Sequence, residues 1–232
     1  GSSIGSQLER SWRPCSVAME RKHKNLRDVG LSLHCLRAGI DAGLAGGGSS
    51  SSCASGVEVP SLPCGRLLRC GAIEACTWEE LRRPATVVNL RMGDDGEGGL
   101  DASLKAHGVT YVHVPAENSL EKYDTSDKEV QAWLVRVLQV FEREDLAFPV
   151  LFHCRSGRDR TGVVVAALLS ILCVPEALIV REFTLSEDAK EARIRTSLAG
   201  FRKAGGVDAY FAGHSSGCSA ELCERVRARL LE

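Results

Sequence analysis

A loop between two apolar segments constrains this chain more than any other feature of its sequence. Pro149 to Phe152 is a short apolar run, and Val163 to Cys173 is apolar almost all round. The first segment has the length of a buried strand, and the second is typical of a helix packed on a sheet. Because strand, loop and helix follow one another directly, the sequence predicts a β-loop-α unit at the centre of an α/β protein.

Two further strands are predicted before this unit. Thr86 to Leu90 is apolar enough for a buried strand, and Val109 to Val114 is β-branched and aromatic between Gly108 and Pro115. Strands that alternate with helices favour an α/β sandwich whose central sheet is partly parallel.

Helices are predicted around these strands. Thr77 is the expected N-cap of a short helix through Leu81, and Pro175 stands at the first turn of a helix that runs toward Leu185. A capping box, Ser126-x-x-Glu129, begins the clearest helix. Its apolar positions recur at helical spacing and predict a core-facing stripe: Val130, Trp133, Leu134, Val137, Leu138 and Phe141.

The chain of 232 residues is long enough for one catalytic domain with extensions. Residues 1–23 are polar and lack periodicity, which predicts a flexible N-terminal extension, and residues 24–232 form the predicted domain. A Gly/Ser-rich insertion at about 38–60 predicts a flexible loop within that domain.

Charge and hydropathy exclude several classes of partner. The 29 basic and 30 acidic residues nearly cancel, so the chain as a whole gives no reason to expect nucleic acid or an anionic membrane as its partner. The longest apolar stretch, Val163 to Val174, is far shorter than the roughly 20 residues of a transmembrane helix. We therefore expect a cytoplasmic monomer, although a removed targeting peptide would leave no trace in the sequence.

Ten cysteines are scattered along a chain that is too large to need disulfide staples, so we expect reduced thiols. No pair has the Cys-x-x-Cys spacing of a zinc site. The sequence therefore predicts neither a structural metal nor a cofactor.

The loop from His153 to Gly162 combines an anion cradle with a nucleophile. Between a strand and a helix, residues 155 to 160 can turn successive backbone N–H groups inward, and the helix N-terminus adds positive potential. The same field favours the thiolate form of Cys154, the candidate nucleophile. Arg160 can return to the mouth of the loop and bind two phosphoryl oxygens with its planar guanidinium.

The remaining loop residues have supporting roles in this interpretation. The backbone of Arg155, Ser156, Gly157 and Arg158 supplies the phosphate cradle, with Gly157 allowing the tight path. His153 orients the loop through a hydrogen bond. Thr161 either caps the helix or donates its hydroxyl toward the sulfur.

The string His153-Cys154-x5-Arg160-Thr161-Gly162 resembles the signature of the cysteine-based protein tyrosine phosphatase superfamily. Outer motifs resemble, in order, the tyrosine-phosphatase-like branch of dual- and triple-specificity enzymes, some of which hydrolyse phosphoinositides. They are Asn25–Gly30, Leu68–Ala72, Val88–Arg91, Tyr111–Pro115 and Gly206–Tyr210. The resemblance implies a three-layer α/β sandwich with a mixed, largely parallel sheet, and phosphoryl transfer through a phosphocysteine intermediate.

Two departures from that branch stand out. One is the Gly/Ser-rich insertion, which we interpret as a passive loop. The other is Arg158 in place of the usual lysine, which puts a third guanidinium beside those of Arg155 and Arg160. So dense a positive rim suits substrates with more than one phosphate, such as inositol phosphates or phosphoinositides, although a solvated surface role for Arg155 is equally consistent with the sequence.

The proton donor for the leaving oxygen is assigned through the resemblance. In that branch the aspartate directly before the loop arginine serves as the donor, and that position is Asp159. Superfamily members that use a separate loop make Glu117 the alternative, with Asp124 and Asp127 farther along and Asp127 suited to a helix start.

Three functions remain open at this point. The leading one is hydrolysis of phosphotyrosine, phosphoserine or phosphothreonine proteins, or of phosphoinositides and inositol phosphates. The alternatives are a catalytically silent phosphate-binding module and a sulfur- or arsenate-handling enzyme. Pocket shape decides among substrates, and motifs do not encode it.

Overall fold

The structure is a computed structural model that describes residues 23–44, 61–74, 76–95, 102–117, 122–213 and 221–232. A five-stranded sheet has the order β1-β2-β5-β3-β4. Only the short edge strand β1 is antiparallel to its neighbour, and the other pairs are parallel. The strands are β1 (Arg27–Asp28), β2 (Leu67–Cys70), β3 (Thr86–Asn89), β4 (Thr110–His113) and β5 (Val150–His153).

The helices precede, connect and follow these strands. Their bounds are α1 (Val29–Leu44), α2 (Ala102–Lys105), α3 (Lys128–Leu138), α4 (Asp159–Ile171), α5 (Glu176–Thr184), α6 (Glu191–Lys203), α7 (Val207–Ala212) and α8 (Glu221–Leu231). The predicted α/β class with a mixed, largely parallel sheet is confirmed, and none of the described helices is long and apolar enough to cross a membrane.

Alternating side chains of the strands enter two separate cores. Val88, Val150 and Phe152 join the larger core with α3, α4 and the C-terminal helices. Val87 and Leu151 join the smaller core on the other face, which Leu104 of α2 helps to close. The sheet thus lies between a thick helical layer and a thinner layer, with its central strand β5 buried on both faces.

Most predicted elements lie where the sequence placed them. Strands β3, β4 and β5 match to within a residue or two, and all six residues of the predicted apolar stripe are buried in α3 and the 3-10 turn that follows it. Helix α4 begins earlier than its apolar run because the polar residues Asp159 to Gly162 form its first turn.

Several local predictions were wrong. Thr77 to Leu81 is a hydrogen-bonded turn and not a helix, although Thr77 and Glu80 exchange the reciprocal bonds of a capping box. The N-cap of α3 is Asp127, whose carboxylate accepts from Glu129 N, and not Ser126. An aspartate is as good a cap as a serine, so the sequence could not separate the two neighbours.

The structure describes residues at two of the predicted boundaries, while the division into extension, domain and insertion stays a prediction. Residues 38–44, assigned to the flexible insertion, belong to α1, and the rest of the insertion through residue 60 lies outside the described residues. His23, assigned to the extension, is buried with its ring against the sulfur of Cys76, while residues 1–22 lie outside the described part of the chain.

Candidate active site

The central strand delivers the predicted loop to the carboxyl edge of the sheet. Strand β5 pairs in parallel with both β2 and β3, and it ends at His153. Six residues later, α4 begins at Asp159. Cys154 therefore lies at the point where parallel strands end and a helix N-terminus begins, which is a favourable place for an anion.

A cavity of about 450 Å³ opens over this loop. Its described lining is Lys24, Lys122, Cys154, Arg155, Ser156, Arg158, Asp159 and Arg160. Five of these side chains are cationic and one is acidic, so the cavity is strongly positive although the chain is nearly neutral. The side chain of Cys154 is almost fully buried at its base.

Three successive carbonyl groups of the loop are held from outside. Arg155 O accepts from Ala72 N at 3.1 Å, Ser156 O from Asn25 Nδ2 at 2.7 Å, and Gly157 O from Arg69 Nη2 at 2.7 Å. In a trans peptide the next N–H points opposite to the carbonyl. The N–H groups of residues 156, 157 and 158 are therefore directed away from these partners, which is the arrangement of an anion-binding nest.

Gly157 makes this path possible. Its φ is +66°, and a Cβ at this position would collide with the backbone of Cys70 and Gly71. Any other residue would therefore be strained here and would also separate the loop from β2.

His153 lies behind the nucleophile and is oriented by an acid that the sequence analysis missed. Its Nε2 lies 2.8 Å from Asp95 Oδ2, and both side chains are fully buried. Arg91 bridges Asp95 and the exposed Glu74. Asp95 lies in a Gly/Asp-rich segment after β3, and nothing in the sequence points to its partner 58 residues away.

Asp159 accepts hydrogen bonds from several sides. Tyr123 Oη donates at 2.8 Å, Ser156 Oγ at 3.3 Å, Arg158 Nη2 at 3.2 Å and Arg193 Nη1 at 3.4 Å. Burial alone would raise the pKa of this carboxyl, but Tyr123 and Arg158 outweigh it and hold the pKa below its usual value. In the free protein Asp159 is thus a carboxylate at neutral pH.

The other candidate acids lie elsewhere. Glu117 is exposed and is not among the described residues that line the cavity. Asp127 caps α3, and Asp124 accepts from Ser126 N at 3.0 Å.

Thr161 is the third residue of α4 and does not cap the helix, because Arg158 holds the N-cap position without a side-chain bond. The Thr161 hydroxyl is buried and has no hydrogen-bond partner among the described residues. It is therefore available to a group held in the loop.

The outer sequence motifs acquire a physical role here. Asn25 and Arg69, which entered the sequence analysis only as parts of a resemblance, donate directly to the loop carbonyls. Lys24, Lys122 and Tyr123 were missed as site residues, because nothing in the local sequence places them beside a loop some 30 or more residues away. Among the described residues no group of His, Cys, Asp and Glu is arranged to hold a metal ion.

Comparison with known proteins gives a family and a relative by sequence. The model of the tyrosine phosphatase family matches residues 21–229. A tyrosine-protein phosphatase from Nostoc commune is 41% identical over 63 residues, which is 25% of this chain and 21% of that protein. The chain therefore aligns with about a fifth of the length of this relative.

Two solved structures are similar to parts of the chain. Pseudomonas aeruginosa TpbA is 24% identical with a TM-score of 0.47, covering 65% of this chain and 87% of TpbA. The core catalytic domain of the PP-IP phosphatase SIW14 from Saccharomyces cerevisiae is 14% identical with a TM-score of 0.42, covering 72% of this chain and 82% of that domain.

Proposed function

The chain belongs to the tyrosine phosphatase family, and from that premise we propose that it hydrolyses phosphomonoesters through a phosphocysteine formed on Cys154. The observation that carries the proposal is the buried sulfur at the base of a positive cavity, beside a loop whose three carbonyls are tied outward. This arrangement leaves amide donors for the phosphoryl oxygens.

Transfer to the sulfur is the first of two steps. The phosphoryl oxygens bind the loop amides and the guanidinium of Arg160. The thiolate of Cys154 attacks phosphorus, an S–P bond forms, and the bond to the leaving oxygen breaks as that oxygen takes a proton. Arg155, Ser156, Gly157 and Arg158 provide the cradle through their backbone.

Hydrolysis of the intermediate is the second step. Water attacks phosphorus, the S–P bond breaks, and inorganic phosphate leaves with the thiolate restored. The Thr161 hydroxyl, which has no partner among the described residues, is suited to donate to the departing sulfur. His153 holds the base of the loop through Asp95.

Asp159 is the proposed proton donor in the first step and acceptor in the second, with Glu117 as the alternative donor. Its low pKa suits the acceptor role directly, whereas donation needs the protonated form. The protonated fraction grows as pH falls, so kcat/KM for alkyl phosphates should rise toward acidic pH relative to that for aryl phosphates. Asp159→Asn should abolish the pH dependence of this alkyl-to-aryl ratio of kcat/KM. An unchanged pH dependence would assign the proton donor to another residue.

The substrates that we propose are phosphotyrosine, phosphoserine or phosphothreonine proteins, or phosphoinositides and inositol phosphates. Lys24 and Lys122 join the loop arginines around the cavity and favour ligands with more than one anionic group. A phosphate-release screen across these classes at equal concentration ranks them.

Cys154→Ser is the variant that tests the mechanism. It should lose turnover completely while it still binds vanadate, because the amides and Arg160 remain. Undiminished activity would refute the mechanism. A wild-type protein that binds vanadate without releasing phosphate would instead be a silent binding module, and arsenate reduction or sulfur transfer without phosphate release would indicate the third function.

A further inference from the structure

Three charged side chains are buried together behind the loop and do not touch the cavity. Arg69 and Glu182 are almost completely buried, and the side chain of Arg27 is 9% exposed. They come from β2, α5 and β1, so the packing of three elements fixes their positions.

Most polar side-chain atoms of this cluster have a close partner, although the buried Arg69 Nε has none among the described residues. Glu182 accepts from Arg27 Nε at 2.8 Å and from Arg69 Nη1 at 2.7 Å. Arg27 Nη2 also donates to Glu182 O and to Ser186 Oγ, both at 2.9 Å. This leaves Arg69 Nη2 to donate to Gly157 O at 2.7 Å, with a longer contact to Ser186 Oγ at 3.3 Å.

The cluster holds two guanidinium groups and one carboxylate, so it has one excess positive charge. Burial and the neighbouring Arg27 lower the pKa of Arg69 to about 10, which still leaves it charged at neutral pH. Burial would raise the pKa of Glu182, but Arg27 and Arg69 together hold it below its usual value. The excess charge therefore persists at neutral pH, and Arg69 is the member of the cluster that donates to the loop.

The hydrogen bond from Arg69 to Gly157 O matters because the peptide group between Gly157 and Arg158 is the one in the loop most able to rotate. Gly157 has a positive φ and no side chain, so the following peptide resists rotation less than its neighbours. A rotated peptide would present its carbonyl oxygen to the anion in place of the Arg158 N–H. The donor on Gly157 O prevents this.

We propose that Arg69, held by Glu182 and Arg27, is a positioning residue that keeps the 157–158 peptide with its N–H toward the bound phosphoryl group. This inference rests on the proposed function, because it assumes that the loop binds phosphate. A role in stability alone explains the cluster poorly, since buried ion pairs often contribute no more to stability than apolar residues of similar volume.

The test removes Arg69 together with its carboxylate partner, and Arg27 keeps its hydrogen bonds to Glu182 O and Ser186 Oγ. The double variant Arg69→Met/Glu182→Met removes the guanidinium and the carboxylate together. The single variant Arg69→Lys keeps the charge but cannot donate to Glu182 and Gly157 O with the planar geometry of a guanidinium. Arg227→Met is the matched control, because Arg227 Nε donates at 2.7 Å to Ile171 O at the opposite end of α4. Thermal unfolding establishes that each variant is folded.

We expect kcat/KM for p-nitrophenyl phosphate to fall about 100-fold in the double variant, the usual loss when one oxyanion donor is removed. Vanadate affinity in the Cys154→Ser background should fall as well, and the kcat of Arg69→Lys should lie between wild type and the double variant. Arg227→Met should retain wild-type values for both. Should the double variant not fold, Arg69→Lys alone decides the outcome.

Wild-type kcat/KM and vanadate affinity in a folded double variant, or in Arg69→Lys where that variant decides, would overturn the inference. The proposed function fails differently. In that case wild-type protein releases no phosphate, while vanadate affinity still reports whether Arg69 orients the loop.

Discussion

The two sides of the loop from His153 to Gly162 are built in opposite ways. Behind it, Arg69 and Glu182 are almost completely buried, and each has partners on other elements. Around its mouth, the side chain of Lys24 is 46% exposed and that of Arg158 is 23% exposed. We propose that the buried side fixes the geometry of the loop and that the rim, formed by Lys24, Lys122, Arg155 and Arg158, discriminates among anions.

This contrast predicts how substitutions will sort. A change to a group that touches or orients the phosphoryl group should reduce the rate for every substrate. A change at the rim should alter the ranking of substrates and depend on ionic strength, because exposed charges are screened by salt.

The largest loss after the nucleophile is expected at Arg160. Arg160→Lys keeps the charge but cannot make two parallel bonds to the phosphoryl oxygens. We expect kcat/KM to fall on the order of 1,000-fold for all phosphomonoesters, near the upper end for losing a preorganised donor. Steady-state kinetics measure this loss, and a fall confined to polyphosphorylated substrates would assign Arg160 to the rim.

Asp159→Asn should give the next largest loss, and only where the leaving group needs a proton. We expect about a 100-fold lower kcat for alkyl phosphates, the lower range of general acid catalysis, and little change for p-nitrophenyl phosphate. Equal slowing of both substrates in a kcat comparison would contradict the assignment.

Asp95→Asn tests the support of His153 with a smaller expected effect. The amide cannot accept from His153 and Arg91 as the carboxylate does, and the loss of one charge-assisted bond corresponds to roughly a tenfold lower kcat. Asp94→Asn is the matched control, since the adjacent Asp94 is exposed and pairs only loosely with His113. Equal kcat values for the two variants would show that the contact of Asp95 with His153 does not support catalysis.

The smallest expected effect belongs to the rim lysines. Lys24→Met and Lys122→Met should each lower the ratio of kcat/KM for inositol bisphosphates to kcat/KM for p-nitrophenyl phosphate a few-fold. The difference between each variant and wild type should shrink as salt is added. Lys203→Met, at the end of α6, serves as the control. A loss of kcat/KM that is the same for both substrates and insensitive to salt would mean that these lysines orient the loop and do not discriminate among substrates.

The sequence predicted the parts of this site that are contiguous in the chain. The β-loop-α unit could be predicted from the apolar run of β5, the loop and the apolar turns of α4. Hydrophobic periodicity and the order of segments can be read from neighbouring residues alone. The turn at Thr77 was predicted as a helix because threonine is a favoured N-cap residue, and the capping bonds do form. Here they close a single turn.

The support of the loop could not be predicted in the same way. Arg69 and Gly157 are 88 residues apart, and Arg27 and Glu182 are 155 apart. An arginine in a strand and a glutamate in a helix are usually solvated, and only tertiary packing buries them together. The outer motifs include Arg27 and Arg69 but not Glu182, and they do not indicate what these residues contact.

The most direct test of the account is to trap the covalent intermediate. Wild-type protein mixed with p-nitrophenyl phosphate and quenched within milliseconds should contain a phosphorylated peptide, and fragmentation should place the phosphoryl group on the sulfur of Cys154. The signal should vanish in Cys154→Ser. Steady turnover without phosphate on Cys154, or with phosphate on another residue, would contradict the mechanism.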